Sequence, residues 1–222
     1  MVLAGPAEAQ TRKPAPKATP TKAPATKVEP AALACVAPLG SGVKTERQFC
    51  DVLAGRDPAE GSKVTIPPHV GVARLTFDLH NRHIYSEQMV KTGSAYAEYI
   101  ATIGVLTMNN DLISRAAVTS SFRSPADLVD RIAVGGGSKG VKAIAPIGAE
   151  TISMEIPGDI TEVSFLGERL TVQRSLGRDV FTATGRPVAI ISNVTVEYTP
   201  VPPKPAPKKK APAKKKPAPK KP

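Results

Sequence analysis

The 222-residue sequence lacks tryptophan, and its four tyrosines and five phenylalanines amount to only 4% of the chain. Proteins that bind sugars on a sheet face usually present exposed aromatic rings, because a ring offers apolar area at little entropic cost. Tyr96 and Tyr99 are three residues apart, so a regular strand turns them to opposite faces. The composition therefore weighs against a carbohydrate-binding module, which remains an alternative rather than the first hypothesis.

Long apolar runs are also missing: no stretch approaches the roughly 18 residues that a membrane-spanning helix requires. The segment Ala7-Glu8-Ala9 before Gln10 nevertheless matches the small-x-small end of a secretory signal. We therefore expect residues 1–9 to be the remnant of a signal peptide and the protein to be exported, whether periplasmic, at the cell surface or extracellular. An alanine-rich disordered terminus is the alternative interpretation of the same residues.

The chain has only two cysteines, Cys35 and Cys50, and they do not form a CxxC motif. An even number, separated by a loop that contains Gly, Pro and Ser, favours a structural disulfide over a redox pair or a metal site. Closing a loop of about 15 residues contributes roughly 3 kcal/mol to stability in the chain-entropy model. The predicted disulfide also fits an exported protein, and two reduced cysteines are the alternative.

Acidic residues are absent from residues 200–222. Residues 10–34 are rich in Lys, Pro, Ala and Thr and contain no aromatic residue. We expect both segments to be disordered, since nothing in them could form a core. The formal charge of +11 thus belongs to the two ends, and residues 35–199, with 16 basic and 17 acidic groups, form the folded domain. The predicted polyanion-binding residues are the nine lysines of the C-terminal segment: Lys204, Lys208, Lys209, Lys210, Lys214, Lys215, Lys216, Lys220 and Lys221.

These lysine clusters have no interleaved aromatic residue or arginine, so neither base stacking nor bidentate base recognition is available to them. The C-terminal segment resembles the Lys/Ala/Pro-rich tails of linker histones and of bacterial histone-like proteins, which implies binding to nucleic acid without sequence preference. An anionic envelope polymer or a membrane surface is the other expected partner of this segment, and a glycan is an alternative partner of the folded domain. A solvated spacer that binds nothing is the alternative.

Apolar residues between residues 63 and 199 recur mainly with period two, as Leu75, Phe77 and Leu79 do. This pattern, with short segments separated by Gly, Pro, Asn and Asp, predicts an all-β fold: an antiparallel β-sandwich or jelly roll of about eight or nine strands. The predicted strands are KVTIP near residue 65, RLTFDLH, a hairpin of YAEYIATIGVLT and LISRAAVTSSF, TISMEI, TEVSFL, RLTVQR, DVFTAT and PVAIISNVTVEY.

One or two short helices are expected beside these strands. Ser124-Pro125-Ala126-Asp127 offers an N-cap, a proline at the first helical position and an acid three residues after the cap, and LVDRI follows it. A second helix is predicted over residues 45–54, where Phe49, Val52 and Leu53 recur at helical spacing.

Residues that could carry chemistry are few. His80, His83 and Asp78 are the best metal candidates. Zinc needs three or four ligands, and only two or three such groups lie close together in the sequence here, so we expect a solvated polar strand face and no metal. The glycine-rich segment 135–140 lacks the GK[ST] ending of a phosphate loop and is interpreted as a connector. Neither GxSxG nor HExxH occurs, so we expect no enzyme and no cofactor.

The sequence as a whole favours an exported, non-enzymatic binding or structural β-sandwich of the cell envelope. Its C-terminal tail is expected to bind polyanions without preference for their sequence. A carbohydrate-binding module and a histone-like nucleic-acid binder are the alternatives. Self-association also remains open, because unpaired outer strands can pair with a second copy.

Overall fold

The computed structural model describes residues 25–132 and 143–202. These residues form an antiparallel β-sandwich of two six-stranded sheets, which confirms the predicted fold class, with more strands than the expected eight or nine. The strands are β1 (Lys27–Pro30), β2 (Ala32–Ala34), β3 (Pro38–Ser41), β4 (Gln48–Leu53), β5 (Ser62–Thr65), β6 (Ala73–Tyr85), β7 (Ala97–Thr107), β8 (Leu112–Phe122), β9 (Ala143–Ile156), β10 (Glu162–Arg174), β11 (Gly177–Phe181) and β12 (Pro187–Tyr198).

Each sheet is built around one long strand that has two shorter partners along one of its edges. Sheet I has the order β3-β4-β12-β6-β9, and β1 pairs with the part of β12 that β4 leaves unpaired. Sheet II has the order β2-β5-β10-β7-β8, and β11 occupies the corresponding place beside β10. The predicted strands TEVSFL and RLTVQR are one continuous strand, β10, with an irregularity between Gly167 and Arg169.

The core lies between the sheets and follows the predicted alternation. Leu75, Phe77 and Leu79 of β6 are fully buried from the side of sheet I. Phe77 meets Phe165 of β10 edge to face, with ring centroids 4.8 Å apart, so this pair joins the two sheets near their centres.

The predicted helix over residues 45–54 is wrong, because Gln48–Leu53 form β4. Phe49 packs on Ile132 and Ile190 on the outer face of sheet I, whereas Val52 belongs to the main core. A strand that is covered on both faces loses its alternation, and its apolar spacing can then imitate that of a helix.

The helix predicted to begin at Ser124 is also wrong beyond its first turn. Ser124 and Asp127 form the expected capping box, but the helix is a single 3₁₀ turn over Pro125–Asp127. The chain then becomes extended because it pairs with β9, where the Val129 N–H donates to the Pro146 carbonyl at 2.9 Å. A short α-helix that was not predicted, α1, covers Glu87–Lys91 and is capped by Ser86.

The boundary of the N-terminal segment is corrected as well. Residues 27–34 belong to the segment predicted to be disordered, but they contain β1 of sheet I and β2 of sheet II. Only Ala31 separates these two strands, so the chain crosses from one sheet to the other there. Strand pairing draws on backbone hydrogen bonds, which is why a sequence poor in large apolar residues can still be ordered.

Candidate functional site

The predicted disulfide between Cys35 and Cys50 is present, with the two Cα atoms 5.9 Å apart. Cys35 follows β2 of sheet II, and Cys50 lies in β4 of sheet I. Cys50 is buried beside Ser62, whose hydroxyl also accepts a hydrogen bond from the Val36 N–H at 3.3 Å. The bond therefore ties the two sheets together covalently near the start of the fold.

The nine lysines predicted to bind polyanions lie outside the described residues, as do residues 1–9 and the glycine-rich segment 135–140. The structure does define where the two terminal segments join the sandwich. In the antiparallel pairing of β1 with β12, Lys27 lies opposite Tyr198, and Thr26 and Thr199 line the same shallow depression. We call the surface formed by these four residues the entry face.

The entry face is fixed by contacts on both sides. The Tyr198 hydroxyl donates to the Glu29 carboxylate at 3.0 Å, and this hydrogen bond is the main reason that the pKa of Tyr198 is raised. The Val70 N–H donates to the Thr199 carbonyl at 2.8 Å, and His69 forms an isolated bridge with Pro200. The two terminal segments are thus attached side by side at a rigid edge of sheet I.

The prediction of a solvated face around His80 and His83 is wrong, because both side chains are buried. The alternation that buries Leu79 continues into Asn81 and His83, and it places these polar residues on the core face. Asn81 donates hydrogen bonds from Nδ2 to the Ser120 hydroxyl and the Val118 carbonyl of sheet II, at 2.9 and 3.1 Å. Polarity alone had suggested exposure, whereas the period of the strand fixes the direction of each side chain.

The His80 side chain points away from the main core, to the outer face of sheet I, but it is fully buried beneath other residues. Its Nδ1 lies 2.6 Å from the Gly148 carbonyl and its Nε2 lies 2.9 Å from the Ser192 hydroxyl, so both ring nitrogens have partners. Burial is the main cause that lowers the pKa of His80. A neutral imidazole with both nitrogens occupied has a structural role rather than that of a ligand.

His83 differs from His80 in one respect. Its Nδ1 lies 2.8 Å from the Tyr99 hydroxyl, but its buried Nε2 has no hydrogen-bond partner among the described residues. Burial lowers the pKa of His83 to about 4, and the nearby charge of Arg174 acts in the same direction. The three candidate metal ligands do not come together: over residues 25–132 and 143–202, no group of three His, Cys, Asp or Glu could hold a metal ion.

A buried ion pair next to His83 was not predicted from the sequence. Arg82 Nε lies 3.1 and 3.2 Å from the two carboxylate oxygens of Asp51 in β4. Burial raises the pKa of Asp51 to about 6, although the charge and hydrogen bond of Arg82 oppose that shift. The misassignment of β4 as a helix concealed this pair, because only the β4–β12–β6 order brings the two residues together.

Asp130 is a second buried carboxylate, and it holds the segment before β4 in place. It accepts hydrogen bonds from the N–H groups of Lys44 and Thr45 at 3.0 and 2.8 Å, and from the Thr45 hydroxyl. Burial opposes its ionisation, yet these hydrogen bonds together hold the pKa of Asp130 below its ordinary value. Its contacts are those of a structural carboxylate, because they fix the backbone of residues 44 and 45.

The aromatic side chains give little support to a sugar-binding face. Tyr96 is exposed and Tyr99 is buried, so the two rings do not form one platform, as the sequence had predicted. Seven of the nine aromatic side chains are buried: Phe49, Phe77, Tyr85, Tyr99, Phe122, Phe165 and Tyr198. Within the residues described, no helix has the length and apolar character to cross a membrane.

No protein family model matches this chain, and no curated protein matches it. Two solved structures align with 83% of the chain, both at a TM-score of 0.25: the T13 viral particle of IBDV, at 10% identity, and the VP2 subviral particle of infectious bursal disease virus, at 13% identity. The aligned region spans about a third of each of those chains, at 34% and 36%. Likenesses this distant say nothing about what the present chain binds.

Proposed function

We propose that the protein is an exported, non-enzymatic binding protein of the cell envelope, in which a disulfide-linked sandwich presents its two lysine-rich segments as one polycation. The observation that carries this proposal is the pairing of Lys27 with Tyr198 at the entry face. It attaches residues 1–26 and 200–222 at neighbouring points of one surface. Two cationic segments that start from the same place can contact the same stretch of a polyanion.

The distribution of charge supports this proposal. Residues 1–26 contain four basic groups and one acid, and residues 200–222 contain nine lysines and no acid. The remaining chain has a net charge of −1. Binding of one segment raises the local concentration of polyanion near the other, and counterion release makes the combined affinity strongly dependent on salt. Lysine contacts to a polymer backbone carry no sequence information, so the expected recognition is of charge density alone.

The proposed location rests on the Cys35–Cys50 bond, since stable disulfides are typical of exported proteins. Fractionation of the native host with alkylation before lysis tests it. We expect the protein in an exported fraction with no alkylated cysteine. Recovery in the cytoplasm with both thiols alkylated would contradict the proposed location and leave the charge argument to be tested separately.

The binding proposal is tested with the full chain and three variants: deletion of 200–222, deletion of 1–24, and replacement of the nine C-terminal lysines by glutamine. The probes are two DNA duplexes of unrelated sequence, and vesicles with and without an anionic lipid. We expect the full chain to bind both duplexes equally and only the anionic vesicles, with affinity that falls steeply as salt increases. The deletion of 200–222 and the glutamine variant should lose most of the affinity and the salt dependence, and the deletion of 1–24 a smaller part.

Replacement of the nine lysines by arginine is the matched control, because it keeps the charge and should retain binding. Equal binding by the glutamine variant would contradict the proposal, as would failure of the full chain to bind any probe at low salt. A strong preference for one duplex would favour a nucleic-acid reader. A glycan array is the third probe, and glycan binding that the full chain retains after the glutamine substitutions would instead favour the carbohydrate-binding alternative.

A further inference from the structure

A cavity of about 550 Å³ opens at the end of the sandwich opposite the entry face. It lies where β6 ends and β12 begins, and it is also lined by β7, β10 and β11. Strand β12 runs from Pro187 at the cavity to Tyr198 at the entry face, a distance of about 40 Å for twelve residues at the rise of an extended strand. The cavity is therefore separate from the surface that holds the lysine-rich segments.

Three arginines line this cavity, Arg82, Arg174 and Arg186, and none of the described Asp or Glu residues does. We call it the arginine pocket. The Nε–H of Arg82 donates to the Asp51 carboxylate. One terminal nitrogen of Arg174 donates to the Asp179 carboxylate at 2.9 Å. Arg186 forms no ion pair with the described residues. Each guanidinium carries five N–H donors, so these contacts leave most of the donors unused.

Arg186 is held in place by stacking rather than by charge. Its guanidinium carbon lies 3.9 Å from the centroid of the Phe181 ring. Stacking of this kind fixes the plane of the guanidinium and leaves its edge available to an oxyanion. A flexible surface arginine would lose more side-chain entropy on binding a ligand.

His83 adds a buried donor to the lining of the arginine pocket. It is only 4% exposed, and its ring stacks on Phe122 with centroids 3.9 Å apart. In the tautomer in which the Tyr99 hydroxyl donates to His83 Nδ1, 2.8 Å away, the hydrogen of the neutral imidazole is on Nε2. A buried N–H without an acceptor is costly, and an anion in the pocket would satisfy it.

The rest of the lining is apolar and includes Met89 of α1, Leu170 and Val172 of β10, and Phe181 of β11. Small-molecule sites typically enclose roughly 300–1,000 Å³ and combine an apolar wall with a few polar groups. The arginine pocket meets both conditions. Its chemistry suits a molecule that has one anionic group and a compact apolar body.

We propose that the arginine pocket binds a small organic carboxylate, with Arg174, Arg186 and His83 Nε2 as donors to the carboxylate and the apolar wall against the body of the ligand. Arg82 holds the base of the site through its pair with Asp51 and adds positive charge. The assignment is independent of the proposed polyanion binding, because it uses residues of the sandwich at the far end from the entry face.

The experiment is a titration of the full-length protein with 4-phenylbutyrate, followed by NMR chemical shifts and by calorimetry. Its neutral analogue 4-phenylbutan-1-ol has the same apolar body and lacks the charge. We expect the carboxylate to shift resonances of the arginine pocket and to bind at least about tenfold more tightly than the alcohol, given the strength of charge-assisted hydrogen bonds.

Arg174→Gln and Arg186→Gln should each weaken binding of the carboxylate about tenfold and leave the alcohol unaffected. His83→Phe keeps a ring against Phe122 and should weaken it about threefold. Arg115→Gln is the matched control, because Arg115 pairs with Glu168 on the outer face of sheet II, and it should change nothing. Equal affinity for the alcohol would overturn the proposal. The proposal would also be wrong if 4-phenylbutyrate bound both glutamine variants as tightly as the unmodified protein. The same conclusion would follow if 4-phenylbutyrate did not bind the unmodified protein at millimolar concentration.

Discussion

Arg82 of β6 and Asp51 of β4 form a buried ion pair across β12, the strand that lies between their own strands. The two side chains reach over that strand on the outer face of sheet I, and Arg82 is also one of the residues that line the arginine pocket. The pair therefore couples the order of three strands to the base of a proposed binding site. The Arg82 side chain is 18% exposed and that of Asp51 5%, so removal of one partner would leave the other charge largely desolvated and unpaired.

Arg82→Leu should destabilise the protein by about 3 kcal/mol at neutral pH, because it leaves the Asp51 carboxylate buried without its partner. The loss should be smaller at pH 5. The pKa of Asp51 is already about 6 with Arg82 present, and without the guanidinium it rises further, so that the neutral acid predominates at pH 5. Urea unfolding at both pH values measures the difference.

Arg74→Leu is the control for this prediction, since the Arg74–Glu197 pair is exposed and should contribute less than about 1 kcal/mol. An equal cost for the two substitutions would refute the assigned role of the buried pair. In the unmodified protein, a pKa of Asp51 above its ordinary 3.8 means that its contribution to stability decreases as the pH rises from about 4 to about 6.

His83→Phe should reduce the loss of stability that acid causes. The folded protein holds the pKa of His83 at about 4, below the ordinary 6.5, so between these values the unfolded chain binds a proton that the folded chain does not. Stability that is present above pH 6.5 is then lost as the pH falls to 4. His80 acts in the same direction and Asp51 in the opposite one.

The measurement is the free energy of unfolding of the unmodified protein and of His83→Phe across that pH window, where the variant should show the shallower decline. Tyr99→Phe is the matched control: it removes the hydroxyl next to Nδ1, retains the imidazole, and should keep the steeper decline. Parallel profiles for the unmodified protein and His83→Phe would show that His83 does not bind the proton.

Replacing Cys35 and Cys50 together by alanine should lower the free energy of unfolding by about 3 kcal/mol, the value expected for a bond that closes a loop of this length. The sequence separation is 15 residues. A reducing agent should destabilise the unmodified protein by a similar amount and leave the double variant unaffected. If reduction changed both proteins equally, its effect would not come from this bond.

Gly42→Ala should destabilise the protein by roughly 2–3 kcal/mol by displacing the carboxylate of Asp130. A Cβ at this position would stand 2.2 Å from one Asp130 oxygen, and that oxygen also accepts two hydrogen bonds from Thr45. Gly104→Ala is the comparison, because its nearest neighbours are side-chain ends at 3.3 Å or more. Thermal unfolding should separate the two variants clearly, and equal midpoints would argue against the assigned role of Asp130.

Where burial affects only one face, the sequence was a sufficient guide to the fold. The β7–β8 hairpin matches its predicted segments within one residue. Strand β12 also coincides with PVAIISNVTVEY although both faces of its first half are buried, because Val194, Val196 and Tyr198 keep the alternation in its second half. The period of two in the apolar residues does not identify β4, because both faces of that strand are covered. It does not identify β1 and β2 either, because backbone pairing rather than an apolar face orders these strands.

The candidate sites were predicted less well, for a different physical reason. The disulfide followed from residue type and count, which need no knowledge of the fold. The arginine pocket is formed by residues from six elements, and the sequence alone did not show that His83 faces the space between the two sheets. Strict alternation from Leu79 was the one signal in the sequence that would have placed His83 inside.

The adjacency of Lys27 and Tyr198 also determines how the molecule would bear mechanical load. If the two terminal segments were held by different polymers and drawn apart, the β1–β12 pairs would open one after another from Lys27, as in unzipping rather than shear. Little force is needed to start such a peel. It would proceed through β2 and then stop at Cys35, because the covalent bond to Cys50 passes the tension directly into β4 at the interior of sheet I.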